Sequence, residues 1–160
     1  MAVADLSRNV VEERLGALEE AYKSFAVNQT TLSVPPEAYR RARDHFTEGL
    51  ADVYVQIYDD DDDVLLVEGD REWVVPSVNP PSDAPLELGV CRALAEDTGV
   101  ECEVTDLERV TILGVCHEDD LDRATVYRLV AVFAARRTGG APDEDASWHS
   151  ELPDSALPRY

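Results

Sequence analysis

The sequence predicts an α/β domain in which helices pack against a mixed β-sheet, as an α/β/α or α+β sandwich preceded by N-terminal helices. Three observations predict it. Apolar residues recur every three or four positions over the first 27 residues, they alternate with other residues from Asp52 onward, and a helical pattern returns between two groups of strand-like segments. The length of 160 residues and the hydrophobic content of 44% fit one domain with a buried core.

Residues 1–50 are predicted to form a helical extension ahead of a domain at 51–160. An amphipathic helix occupies the first 27 residues, and a polar stretch that ends in Pro35 and Pro36 breaks it. Pro36 suits the first turn of a second helix that runs to about Phe46 or Leu50. The apolar face of the first helix needs a partner surface, so we expect the helices to pack on the sheet or to join two copies in a homodimer. That face carries Val10, Val11, Leu15, Leu18, Tyr22 and Phe25.

The strands begin at Asp52, where Val53, Val55 and Ile57 alternate with less apolar residues. The five aspartates at 59–63 predict a solvated hairpin-like turn. A calcium loop would space its acids at alternate positions and include a glycine, and this run does neither. Further strands are predicted at 64–67, 72–75, 100–104, 110–115 and 125–135, with loops at 76–85 and 138–146.

The charge of the chain excludes polyanionic partners. With 34 Asp and Glu against 14 Lys and Arg, the net charge is −20, and such a surface repels phosphate backbones and anionic lipids. Nucleic acid and membranes are therefore not expected partners.

The composition also predicts a salt-adapted protein rather than an ordinary acidic one. Acids are abundant and lysine is nearly absent, since thirteen of the basic residues are Arg and only Lys23 is Lys. An acidic N-terminus and the lack of a long apolar stretch predict a cytoplasmic location.

Three cysteines, Cys91, Cys102 and Cys116, stand 11 and 14 positions apart. These spacings make neither a paired disulfide framework nor a short metal-binding motif. All three lie among apolar residues, so we predict buried, reduced thiols.

The segment most suggestive of chemistry is a predicted helix from about Pro85 to Thr98, ended by Gly99. Leu86, Val90 and Leu94 recur every four residues and should bury one face, and positions 93, 96 and 97 are predicted to share another. Two carboxylates on that second face, Glu96 and Asp97, are suited to bind a hard divalent cation. Their negative charges are unfavourable near the C-terminal end of the helix dipole unless a cation or solvent compensates them. A solvated acidic helix end is the alternative.

This segment resembles part of the Nudix box, whose second half runs Arg-Glu-aliphatic-x-Glu-Glu-x-Gly-aliphatic. The matching residues are Arg92, Leu94, Glu96, Asp97, Gly99 and Val100, with Trp73 and Pro76 upstream and Trp148 and Leu152-Pro153 downstream. The chain departs from the box at Val78, Ala84 and Ala93, where the family has Gly, Glu and Glu, and at Ser77 in the Gly-Gly pair.

The resemblance implies a Nudix-like α/β/α sandwich and a hydrolase that cleaves a nucleoside diphosphate linked to another group, with Mg²⁺ or Mn²⁺ as cofactor. It implies Glu96 and Asp97 as metal ligands, with Asp83 beside the missing Glu. Arg92 would brace the helix through Glu96 or orient the loop. The general base would come from the acidic turn of Glu118, Asp119, Asp120 and Asp122. The lost carboxylates also fit an alternative, a catalytically impaired nucleotide-binding or regulatory module.

Overall fold

The computed structural model describes residues 3–22, 24–45, 52–69, 71–78, 86–153 and 156. These residues form a mixed sheet with helices on it, which confirms the predicted fold class. The helices are α1 (Val3–Ala21), α2 (Pro36–His45) and α3 (Leu86–Thr98). The strands are β1 (Ala26–Val34), β2 (Asp52–Tyr58), β3 (Val64–Glu68), β4 (Trp73–Val74), β5 (Ser77–Val78), β6 (Val100–His117), β7 (Val126–Gly140) and β8 (Ala146–His149).

The strands join in the order β1-β6-β7-β2-β3-β4, with β5 paired to β2 and β8 paired to β3. β1 runs parallel to β6, and β2 runs parallel to β7. The β6–β7 pair and the pairs that β3 makes are antiparallel. The longest strand, β6, therefore lies between the edge strand β1 and the centre of the sheet.

Both faces of the sheet are covered, because alternate residues of β7 belong to different cores. Leu129, Ala131 and Phe133 pack in one core with residues of α1 and α3, whereas Val126 and Val130 pack in another with Tyr39 of α2. This period of two places α1 and α3 on one face and α2 on the opposite face. The arrangement is an α/β/α sandwich.

The predicted packing of the N-terminal helices on the sheet is confirmed. Val11 and Leu18 of α1 are buried in the core that contains β7, and Leu15, Tyr22 and Phe25 pack against it. The apolar face of α1 is thus satisfied within the chain. The division at residue 50 stays a prediction, although elements from both sides of it share these cores. Among the described residues no helix is long and apolar enough to cross a membrane.

Four strand assignments need correction. The polar stretch before Pro35 forms the edge strand β1, whose side chains are mostly exposed and so carry no apolar alternation. The two strands predicted at 100–104 and 110–115 are one strand, β6, with irregularities at Val104/Asp106 and Leu107/Arg109 that absorb the polar interruption. In the predicted loops, Ser77–Val78 pairs with β2, and β7 continues to Gly140.

The aspartate run forms the predicted turn between β2 and β3. The Asp59 carboxylate accepts hydrogen bonds from the backbone N–H groups of Asp61 and Asp63, and Asp62 has a φ of 63°. Arg136 of β7 donates to the Asp59 carbonyl and lies 3.7 Å from the Asp62 carboxylate. The first aspartate therefore organises the turn while most of the others face solvent.

Candidate active site

Helix α3 is fixed to the sheet by one buried face. Val90 and Leu94 are fully buried, as predicted, whereas Leu86 is half-buried and packs against the same core. The helix packs on β6 and β5, and its end leads directly into β6. Side chains on the opposite face therefore occupy a rigidly supported position at the protein surface.

The C-terminus of α3 is closed by local hydrogen bonds. The Thr98 hydroxyl donates to the Leu94 carbonyl and accepts the Val100 N–H, and the Gly99 N–H donates to the Ala95 carbonyl. The Asp143 N–H donates to the Thr98 carbonyl at 2.8 Å. Gly99 has a φ of +80°, which confirms the glycine stop predicted from the sequence.

Substitution of Gly99 by Ala is expected to destabilise the protein by roughly 2 to 4 kcal/mol, about 5 to 10 °C in melting temperature. A Cβ there would combine a positive φ with a position 2.6 Å from the Ala141 carbonyl oxygen and 2.8 Å from the Asp143 carboxylate. Gly16→Ala on α1 is the control, because a Cβ there meets nothing within 4 Å and should stabilise the helix slightly. A Gly99→Ala protein that melts with the wild type in thermal denaturation would contradict this account.

The predicted ligands Glu96 and Asp97 are exposed in the last turn of α3, and Arg92 is exposed one turn earlier. Arg92 makes no ion pair with another described residue, so the bracing contact to Glu96 is not formed. The two carboxylates therefore face solvent at the negative end of a helix dipole with no cationic side chain from the described residues paired to them.

Position 93 lies one helical turn before Asp97, as the spacing predicts, but it is less exposed than Glu96 and Asp97. Ala93 is half-buried and packs against the main core beside Leu94. At about 100° per residue, position 93 lies about 40° from Asp97 and about 60° from Val90, so it falls between the exposed pair and the buried stripe. The side chain of a glutamate introduced at position 93 would therefore lie partly against the apolar core.

The acidic turn of residues 118–122 joins β6 to β7. The Asp120 carboxylate accepts the Asp122 N–H and lies 3.3 Å from Nε of Arg123, so this side chain shapes the turn. Glu118, Asp119 and Asp122 are exposed. Since α3 ends where β6 begins, this turn and the Glu96–Asp97 pair lie at opposite ends of β6. An extended strand of 18 residues is on the order of 50 Å long.

The described residues do not complete a metal site by themselves. Across the described part of the chain, no three His, Cys, Asp or Glu side chains are grouped so as to hold a metal ion. Asp83 and Ala84 fall in the segment 79–85, which lies outside the described residues. Glu96 and Asp97 nevertheless suit a hard cation, because Mg²⁺ is usually held by one or two carboxylates, several waters and the phosphates of a substrate.

A tyrosine on the N-terminal segment contacts the beginning of α3. Tyr22 donates a hydrogen bond to Oε1 of Glu87, and its ring packs against Phe133 at a centroid distance of 5.8 Å. Burial, followed by this hydrogen bond, raises the pKa of Tyr22 above its usual range. The sequence predicts for Tyr22 only a place on an apolar helix face, because its link to α3 depends on tertiary packing and not on local spacing.

Comparisons with known proteins give distant structural likenesses. No protein-family model and no curated protein matches the chain. A crystal structure of a UDP-X diphosphatase is 16% identical, with a TM-score of 0.47, over 99% of this chain and 90% of that one. An ADP-ribose pyrophosphatase from Streptococcus suis is 21% identical, with a TM-score of 0.43, over 64% of this chain and 75% of that one. A NUDIX hydrolase from Nitrosomonas europaea is 16% identical, with a TM-score of 0.44, over 68% of this chain and 61% of that one. Likenesses this distant leave the function to be argued from the chain's own residues.

Proposed function

We propose that the protein is a metal-dependent pyrophosphohydrolase of the Nudix type, acting on a nucleoside diphosphate linked to another group. The observation that carries the proposal is the exposed pair Glu96 and Asp97 on α3, held in place by a buried helix face and by the Gly99 stop. Carboxylates at this end of a helix are unfavourable without a cation, and a diphosphate enters an acidic surface only with cations attached.

Glu96 and Asp97 would hold Mg²⁺ or Mn²⁺, together with Asp83. Such an ion, when bound, neutralises the diphosphate charge and lowers the pKa of a water. The residues of the chain would position the diphosphate. Arg92 is exposed one turn before Glu96, and its guanidinium suits bidentate contact with a phosphate oxygen pair rather than support of the helix.

The resemblance also assigns the general base to the acidic turn, where Glu118 and Asp119 are the candidates because Asp120 is held by Arg123 and by the Asp122 N–H. A general base must come within hydrogen-bond reach of the attacking water, directly or through one further water. Because the turn lies at the far end of β6, the assignment stands only if Glu118→Gln or Asp119→Asn removes turnover in the assay below.

The second candidate function is a nucleotide-binding or regulatory module without turnover. The half-buried position of Ala93 favours this second function. The Nudix box has a carboxylate at this position, and here neither a carboxylate nor an exposed side chain stands in its place. A binding module needs only the pocket and a contact to phosphate, whereas a hydrolase needs a further carboxylate near Glu96 and Asp97.

The assay that separates these functions is product release from a panel of nucleoside diphosphate derivatives, with Mg²⁺ and with Mn²⁺, in molar KCl. Release of a nucleoside monophosphate from at least one substrate, lost on chelation, supports the hydrolase. Saturable binding of the same compounds without product release supports the module. Neither release nor binding would contradict both proposals.

We also propose that the protein works in a salt-rich cytoplasm. Its three cysteines form no disulfide, and surface acids such as Glu101, Glu103 and Glu108 project from β6 to solvent. Like charges are unscreened over about 30 Å at 10 mM salt but over about 3 Å at 1 M. Thermal denaturation monitored by circular dichroism should therefore show a melting temperature that rises from 0.05 M to 2 M KCl, and an unchanged value would contradict salt adaptation.

A further inference from the structure

Two of the three thiols lie against each other between α3 and β6. Sγ of Cys91 is 3.8 Å from Sγ of Cys102, and both side chains border the main core. Cys102 is 9% exposed and Cys91 is half-buried. The expectation of buried thiols therefore holds for Cys102, whereas Cys91 and Cys116 are partly accessible, and all three cysteines are reduced as expected.

The surroundings of the pair hold both sulfurs in place. Cys91 follows the fully buried Val90 on α3, and Cys102 lies at an irregularity in the pairing of β6 with β7, between Glu101 and Cys102. A disulfide requires an approach of the two sulfurs by somewhat less than about 2 Å. Adjustment of the two side-chain χ1 angles provides movement of this size without displacing the helix from the sheet.

We propose that Cys91 and Cys102 are a redox-modification site, a dithiol that a peroxide oxidises to an intramolecular disulfide between α3 and β6. The Cys91 thiolate attacks one oxygen of hydrogen peroxide, so that an S–O bond forms, the O–O bond breaks and hydroxide leaves. The Cys102 sulfur then attacks Sγ of Cys91, forms the S–S bond and releases hydroxide, which leaves as water with the Cys102 proton. Two thiols lose two electrons and two protons, and one peroxide becomes two waters.

The two sulfurs have different roles because their exposure differs. Cys91 is accessible to a small oxidant and is the attacking thiol. Burial, together with the neighbouring Cys91, raises the pKa of Cys102 to about 12, so Cys102 is the less reactive thiol toward peroxide. Cys102 is therefore the resolving thiol.

The disulfide would fasten the middle of α3 to β6. It closes a short loop through the end of the helix, the Gly99 stop and the start of β6, and so restricts the unfolded chain. We expect the oxidised protein to melt about 5 °C above the reduced protein. This effect is independent of the proposed hydrolase activity, since it is measured without substrate or metal.

The test uses the full chain, reduced, desalted and treated with a small excess of hydrogen peroxide. After denaturation and alkylation, the wild type should carry one alkyl group instead of three, and peptide mapping should link Cys91 to Cys102. Dithiothreitol should restore three alkylation sites and the lower melting temperature. Three alkylated cysteines after peroxide treatment, a bond to Cys116, or sulfenic acid at Cys91 without the S–S bond would each overturn the proposal.

Matched variants separate this pair from the third thiol. Cys116 lies on the same strand as Cys102, with its sulfur 3.5 Å from Oγ1 of Thr125. Cys116→Ser should form the disulfide as the wild type does and leave no cysteine to alkylate. Cys91→Ser and Cys102→Ala should lose the peroxide-dependent rise in melting temperature. Retention of that rise in Cys91→Ser would overturn the assignment even if the core variant Cys102→Ala folds poorly.

Discussion

A chain that begins at Gly49 is expected to lose the cooperative unfolding transition of the full-length protein. The truncation removes α1, whose Val11 and Leu18 are buried against β7, and α2, whose Tyr39 closes the core on the opposite face. Each of these side chains contributes roughly 1.5 to 3 kcal/mol by burial, and the total stability of a domain is about 5 to 15 kcal/mol. The loss of both helices therefore exceeds what the remaining chain can tolerate.

The truncation also removes β1 from the sheet. β1 pairs with β6 in continuous parallel register from Ala26 with Arg109 to Val34 with His117. Without it, the backbone N–H and C=O groups of one edge of β6 lose their partners, and a long unpaired edge is a site of aggregation. Thermal denaturation at 2 M KCl, with light scattering to detect association, measures both effects.

Point variants distinguish lost packing from a general effect of shortening the chain. Leu18→Ala, at a position that is 4% exposed, should cost roughly 2 to 5 kcal/mol. Leu6→Ala on the same helix, at a position that is 39% exposed, should cost well under 1 kcal/mol. If the shortened chain kept a cooperative transition within a few degrees of the full-length protein, residues 1–50 would be a separable extension.

Sequence patterns predict those elements best whose structure is determined by neighbouring residues. The bounds of α3 were predictable because Val90 and Leu94 repeat at the helical period and Gly99 supplies the positive φ of a helix end. β1 was not predictable, because its sequence AVNQTTLSV is polar and its strand conformation depends on pairing with β6, more than 80 positions away. Propensity is weak evidence in such edge strands.

The candidate site was predictable in part for the same reason. The exposure of Glu96 and Asp97 follows from the buried stripe of their own helix. The position of the acidic turn depends on the length of β6. The sequence pattern predicts two shorter strands in place of β6, so it could not predict this position. Helical spacing also left Ala93 undetermined, because a residue on the flank of the stripe is buried or exposed according to its neighbours.

The largest effect on activity is expected from removal of the two carboxylates of α3. A Glu96→Gln, Asp97→Asn double variant should lose turnover by at least about 100-fold, because amides are weaker ligands for a hard cation and cannot neutralise it. The variant should also melt a few degrees above the wild type without metal, since it removes two negative charges from the negative end of a helix. The magnesium-dependent rise in melting temperature should disappear.

A Glu12→Gln, Glu13→Gln double variant is the matched control. It removes the same two charges from an adjacent, exposed pair on α1, within the helix rather than in its last turn. This control should keep wild-type turnover and the magnesium-dependent shift. It therefore separates a local metal role from a change in the net charge of −20.

The assay and the melting curves together decide between the two proposed functions. Wild-type turnover in the Glu96→Gln, Asp97→Asn variant would show that α3 does not hold the metal. A wild-type protein that binds a nucleotide, releases no product and shows no change in melting temperature with Mg²⁺ or Mn²⁺ would support the binding module instead of the hydrolase.

Ala93→Glu provides the last comparison. Because Ala93 packs against the core, we expect this variant to lose stability rather than gain metal affinity. A tighter magnesium response in Ala93→Glu would instead mean that position 93 reaches the metal after all.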